Sequence, residues 1–297
     1  MTIGNEGELR RIVVNLTPEE SKRLVAKAVV ELDEVKKAKE DGLIGLARCS
    51  SAAYVIEELL GRPLPDPGRY LSGFISGRVL CAAQTDYQER LLVLQKGKEN
   101  WLDYTQGNVT NFIDHMGAGD VIVKSGNAID PFGQVGCLVA APNGGEIGAY
   151  LPHILAKGIN LVVPMTVNKT VSTPIERLVE SLGISRQSRS TSHGLLCGMM
   201  PMPGLVITEV EAIEILCGAE AVPVAVGGIG DGAGAAVLMI EGGQEEVSAA
   251  WNLIQGIKNA GEKPLPQPPS PCDDCYILQH PEMGALCSSL NPPPESS

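Results

Sequence analysis

Between residues 43 and 164, short apolar runs alternate with amphipathic stretches that open on small polar or glycine-rich turns. Leu43 to Ala47 is a continuous apolar run, as suits a strand buried on both faces. Arg48-Cys49-Ser50-Ser51 follows it, and then a helical stretch from Ala52 to Leu60 stopped by Gly61. Asp120 to Lys124, Val135 to Ala140 and Asn160 to Pro164 repeat the strand pattern, with a weak helix at Val109 to His115 before the first of them. The Gly144-Gly145 turn opens a helix from Ile147 to Lys157, ended by Gly158. Residues 70–95 read as short strands around Gly73 and Gly77. Strands that alternate with helices predict a mostly parallel, doubly wound sheet covered on both faces, so the expected class is α/β.

Helix starts are marked chemically. Thr17-Pro18-Glu19-Glu20, Thr173-Pro174-Ile175-Glu176 and Thr208-Glu209-Val210-Glu211 each have the spacing of a capping box, in which a hydroxyl and a carboxylate satisfy two orphan amides reciprocally. The first box opens a helix carrying Leu24, Val25, Ala28, Leu32 and Val35, which is expected to run to Gly42. A second unit is read after Met202. Strand 205–208, a helix ending at Gly218, strands 222–226 and 235–240 and a helix 245–258 make a β-α-β-β-α order that suits a small ferredoxin-like α+β domain. The glycine-rich segment 227–234 leads into a strand and not a helix, so it reads as a strand connection and not a dinucleotide fingerprint. The expected division is a 1–200 α/β ligand-binding domain, a 201–262 ferredoxin-like domain and a 263–297 tail, where nine of the 21 prolines crowd together.

Charge narrows the partners. Thirty-five acidic against 23 basic residues give a net charge of -12, which repels phosphate backbones and predicts no nucleic-acid binding. No stretch approaches about 18 continuous apolar residues, so no membrane span is expected. The amino-terminal segment lacks the apolar core of a secretory signal, and five of the eight cysteines lie scattered in apolar stretches. A reducing cytoplasm is the expected compartment.

Three loops carry the residue types of a site. Arg48, Ser50 and Ser51 stand where a helix N-terminus offers unpaired N–H groups to an anion. Lys124, Asn127 and Asp130 place an amine, an amide and a carboxylate in one short loop after a strand, and a lysine and a carboxylate buried together would shift each other's pKa. Gly144 and Gly145 allow close backbone approach, with Glu146 as a base or nucleophile beside them. Lys124, Asp130 and Glu146 are the candidate catalytic residues. Arg48, Ser50, Ser51, Asn127, Gly144 and Gly145 are the candidate ligand-binding ones. In the tail, Cys272, Cys275, His280 and Cys287 are soft ligands within sixteen residues, and zinc is the metal such a set would take. No other cofactor is indicated.

GLIGLARCSSAAYVIEELL at 42–60 resembles the strand, serine-bearing loop and helix that open the ribose-5-phosphate isomerase and CoA-transferase-like superfamily. DVIVKSGNAID at 120–130 stands where those isomerases carry an acidic strand-end loop. GGEIG at 144–148 resembles their next glycine-rich loop, and INLVVPM with the following Lys169 is similar to a later strand. Where the isomerases place aspartates this chain has Lys124 and Asn127, and only Asp130 is acidic. The resemblance implies a strand-end pocket for a phosphorylated or CoA-type anionic metabolite, with isomerase or acyl/CoA-transfer chemistry. GLVITEVEAIEIL and GAAVLMIEGG are also similar in rhythm to bacterial microcompartment shell domains. The alternative expectation is a non-enzymatic assembly or regulatory protein, a homo-oligomer through 203–260 with a metal- or redox-sensitive tail.

Overall fold

The computed structural model describes residues 10–71, 73–75, 80–82, 90–103, 111–188 and 192–265. Strand β1 (Arg10–Leu16) leads into α1 (Pro18–Glu31) through the expected capping box. The Thr17 hydroxyl accepts the Glu20 N–H, and the Glu20 carboxylate accepts the Thr17 N–H at 2.8 Å. The helix does not run to Gly42. At Leu32 the backbone turns extended (ψ 137°) and its N–H returns to the Val29 carbonyl, after which α2 (Asp33–Asp41) starts afresh. The break redirects the chain so that Val35 and Ala38 pack into the same core as Leu24 and Val25.

The main body is a six-stranded mixed sheet in the order β12-β10-β7-β2-β5-β6. β2 (Leu43–Leu46), β7 (Val121–Val123), β10 (Asn160–Pro164) and β12 (Leu205–Ile207) run parallel. β5 (Arg90–Gln95) and β6 (Lys98–Asp103) add an antiparallel hairpin against β2. Its two-residue turn puts Lys96 and Gly97 at positive φ, 48° and 72°, as strands with a right-handed twist require. Alternation sorts the side chains. Ile44, Leu46, Val121, Val123 and Val162 meet α1, α2 and α3 (Ser50–Leu60), whereas Ile122, Leu161 and Val163 face α4 (Gly145–Lys157). Both faces of the sheet are therefore buried, and the class is mixed α/β.

The remaining strands depart from expectation. β9 (Val135–Val139) is a strand where predicted, but it lies outside the main sheet, antiparallel between β8 (Ala128–Ile129) and β11 (Gly198–Pro201). A separate pair joins β3 (Gly73–Ile75) to β4 (Leu80–Ala82). β13 (Glu220–Gly227) and β14 (Ala235–Gly242) belong to a further three-stranded sheet, ordered β1-β14-β13. The ferredoxin-like arrangement read at 201–262 is corrected by this pairing. Strand 205–207 sits beside β10 in the main sheet, and the partner of β14 comes from the far end of the chain, Arg10–Leu16. The reason is burial. Val14 and Leu16 of β1 and Leu238 and Ile240 of β14 point inward with Ala250, Ile254 and Ile257 of α7 (Gln244–Ala260), and these join α1 and α6 (Glu209–Cys217) in one apolar cluster. Strand pairing and core thus both cross the boundary drawn at 200/201. Among the described residues no helix is long and apolar enough to cross a membrane.

One junction in the main sheet shapes the edge at the strand carboxyl ends. After β2 the chain passes along α3 and returns to the antiparallel β5 on one side, and after β7 it crosses through α4 to the parallel β10 on the other. Where neighbouring parallel strands send their connections in opposite directions, a crevice opens beyond their carboxyl ends, and ligands of open α/β sheets bind there.

Candidate functional site at the strand carboxyl ends

All four parallel strands deliver polar side chains to this edge: Arg48 and Cys49 after β2, Lys124 and Ser125 after β7, Lys169 after β10, Thr208 and Glu209 after β12. The centre is a buried ion pair. The Lys124 ammonium lies 2.7 Å from the Glu146 carboxylate, both side chains being only 5–6% exposed. The ammonium also donates to the Arg48 carbonyl at 3.2 Å. Glu146 reaches this spot from the first turn of α4, where its other oxygen accepts the Arg48 N–H at 3.3 Å and the Tyr150 hydroxyl at 3.5 Å. Burial alone would discharge Lys124, but the attraction of Glu146 outweighs it and raises the lysine's pKa. Lys124 is therefore locked as a cation whose charge is already matched.

Lys169 is the opposite case. Its ammonium donates to the Ser125 hydroxyl at 3.1 Å and to the Gly126 carbonyl at 3.0 Å, both neutral acceptors. Burial dominates here and brings its pKa down to about 8. Two lysines around Ser125 are thus tuned apart, one held charged and one poised to titrate near neutrality, as in sites that move protons. The Ser125 N–H also donates to the Cys49 sulfur at 3.4 Å, so Lys169 and Cys49 meet on one residue. Cys49 is half-buried, whereas Cys81, Cys137 and Cys197 are buried. The turn bearing Ser125 is tightly placed: a Cβ on Gly126 would fall 2.2 Å from a Val135 methyl and 2.8 Å from the Gly136 carbonyl.

Glu209 braces the Lys169 turn. The third capping box forms as expected, with Thr208 and Glu211 exchanging hydrogen bonds, and it leaves Glu209 fully buried at the start of α6. One Glu209 oxygen accepts the Val167 N–H at 2.9 Å. The other has no hydrogen-bond partner, and the Ser21 hydroxyl on α1 lies beside the carboxylate without reaching hydrogen-bond geometry. Burial accordingly raises the Glu209 pKa. A raised carboxyl pKa means that the folded state binds the proton more tightly, so this group's contribution to stability falls as pH rises from the usual carboxylate range. Glu209→Gln keeps an acceptor for Val167 and offers Ser21 a donor. It should raise stability at neutral pH by about 1 kcal/mol, with the gain vanishing in acid where wild type is protonated. Urea unfolding at two pH values checks this, and a loss at neutral pH would contradict it.

The other residues singled out from sequence are placed as follows. Ser50 and Ser51 open α3, and the buried Ser51 hydroxyl has no hydrogen-bond partner. Gly144 and Gly145 take positive φ, 80° and 59°, to turn the chain into α4. Asn127 is exposed just before β8 and ties that end of the pair to β9, its side-chain oxygen accepting the Leu138 N–H at 2.9 Å. Asp130 stands outside the cluster. Its carboxylate accepts the N–H groups of Phe132, Gln134 and Ile175, and although burial opposes ionisation these donors outweigh it and lower its pKa. That last contact also explains why the box at Thr173 does not form. The short helix α5 (Ile175–Ser181) has Pro174 at its cap with no side-chain hydrogen bond of its own, and Asp130 supplies the acceptor from across the fold. Asp130 thus ties the turn before β9 to the start of α5. Cys272, Cys275, His280 and Cys287 lie outside the described residues. Among those described, no group of three or more His, Cys, Asp or Glu is placed to hold a metal ion.

Sequence reasoning passed over Cys49 as an ordinary buried thiol and met Lys169 only through the family resemblance. Cys49 lies two residues and Lys169 five residues past the end of a predicted strand, and that position was the available signal. No known protein family, curated protein or solved structure matches this chain.

Proposed function

We propose that the crevice between β2, β7 and β10 binds a small anionic metabolite, phosphorylated or of the CoA type, with Lys169 as its receiving cation and titrating amine. One observation carries this reading. At the junction where strand connections diverge, Lys169 presents an ammonium that no carboxylate hydrogen-bonds, while the neighbouring Lys124 is matched by Glu146. A desolvated positive charge hydrogen-bonded only to neutral groups, with the Glu209 carboxylate acting on it from beyond hydrogen-bond reach, is incompletely compensated until an anion arrives. Ser50 and Ser51, at the positive end of α3, add donors of the kind that anions take at helix N-termini. The winding of strands around β2 and β7 is read as that of a doubly wound sheet. With the resemblance to the ribose-5-phosphate isomerase and CoA-transferase-like superfamily, it makes isomerisation or acyl/CoA transfer the first reaction classes to assay.

Thermal unfolding against sugar phosphates and CoA tests the proposal. A ligand present at a hundred times its Kd adds about 2.7 kcal/mol to stability and raises Tm. Ser50→Ala combined with Ser51→Ala is expected to abolish that rise. No rise with any phosphorylated compound or CoA would overturn the reading.

A further inference from the structure

We propose that Cys49 is the covalent nucleophile of this site, and that it accepts the acyl group of a thioester whose acid or carrier is anionic. The inference rests on the anion-binding reading above and adds to it a reacting atom. Cys49 occupies the N-cap of α3 in extended conformation (φ -163°, ψ 163°), and its side chain makes no capping hydrogen bond. The sulfur is instead held by the Ser125 N–H, on the residue whose hydroxyl receives the Lys169 ammonium. Cys49 interacts electrostatically with both Lys124 and Lys169. Two residues further along the same helix, the buried Ser51 hydroxyl lacks a partner. A half-buried cysteine, a buried amine joined to it through Ser125 and a helix N-terminus without a side-chain cap to receive an oxyanion make up the equipment of thiol-based acyl transfer.

The step balances without an oxidant or reductant. In the molecules whose Lys169 amine is neutral the Cys49 proton passes to it, while the anionic part of the thioester is held at the α3 N-terminus by Ser50 and Ser51. The sulfur forms a bond to the acyl carbon, and the bond from that carbon to the donor's sulfur breaks. The Lys169 ammonium then returns the proton to the departing thiolate, leaving an acyl-cysteine and a free thiol. A second thiol or water takes the acyl group by the reverse sequence.

The full-length protein is incubated with acetyl-, malonyl- and succinyl-CoA and digested for mass spectrometry, and iodoacetamide labelling is timed in parallel. An acyl group on the Cys49 peptide, released by hydroxylamine and absent from Cys49→Ala, is expected. Iodoacetamide should modify Cys49 at least about tenfold faster than Cys217, the other half-buried thiol among the described residues, which ends α6 at the opposite pole of a helix dipole. Lys169→Met should slow acylation and remove its rise through pH 8. Failure of Cys49 to outpace Cys217, or of any of the three thioesters to leave an adduct, overturns the assignment. Cys49→Ala that still gains Tm with CoA locates the failure in the covalent step. Loss of the Tm gain in wild type places it in the anion-binding reading itself.

Discussion

Lys124→Met is expected to lose about 3–5 kcal/mol of stability, because it strands the Glu146 carboxylate in the interior without its counter-charge. The pair itself contributes little net stability, since two charges had to leave water to form it, and the penalty appears when only one is removed. Lys124→Met combined with Glu146→Gln should therefore recover most of the loss. A glutamine oxygen still accepts the Arg48 N–H, and the interior then holds no ion. Urea unfolding of both variants, read at unchanged m, measures the two values. A double variant as unstable as the single one would show that Lys124 acts through its packing and its bond to the Arg48 carbonyl.

The second large effect concerns Lys169. Below pH 8 its amine is charged, so anion affinity should be greatest there and should fall as pH rises through about 8. Lys169→Met should weaken the anion at least about tenfold, the loss expected for a hydrogen bond to a charged group, and should flatten the pH dependence. The unliganded protein should respond in the opposite sense. The unfolded chain keeps this proton to about 10.5, whereas the folded chain releases it near 8, so this group's contribution to stability rises with pH between those values. Lys169→Met is then more stable than wild type at pH 7 in the absence of ligand, yet no longer stabilised by it. Titration calorimetry across pH 6 to 9 with the Tm of both proteins checks the pair of signs. An affinity independent of pH would remove Lys169 from the role assigned to it.

These effects depend on partners whose identity was unevenly legible. The strand–loop–helix at 43–60 was plain in its residues, as were β7, β10 and α4, because each declares itself by apolar runs and glycine stops within a dozen positions. Two of the three capping boxes formed for the same local reason. The box at Thr173 did not, since a buried carboxylate forty-five residues away offered the Ile175 amide a better acceptor. Asp130 was read as a proton carrier from its neighbourhood in sequence, yet its oxygens are occupied by backbone amides. Lys124 and Glu146 were both named as candidates. Their function as a matched pair depends on α4 starting directly beneath the β2 loop.

What the sequence determined by itself is the alternation of elements, the broad α/β class and the three loops that carry polar groups. Tertiary structure alone decided that β1 would complete the sheet of β13 and β14, that strand 205–207 would leave them for β10, and that one lysine would pair directly with a carboxylate while the other would hydrogen-bond neutral groups. The division follows from the range of the forces. Caps, turns and amphipathic periodicity act over a few residues, so they are written locally. Strand partnership and desolvation depend on which distant segments exclude water together, and that is known only once the chain has closed upon itself.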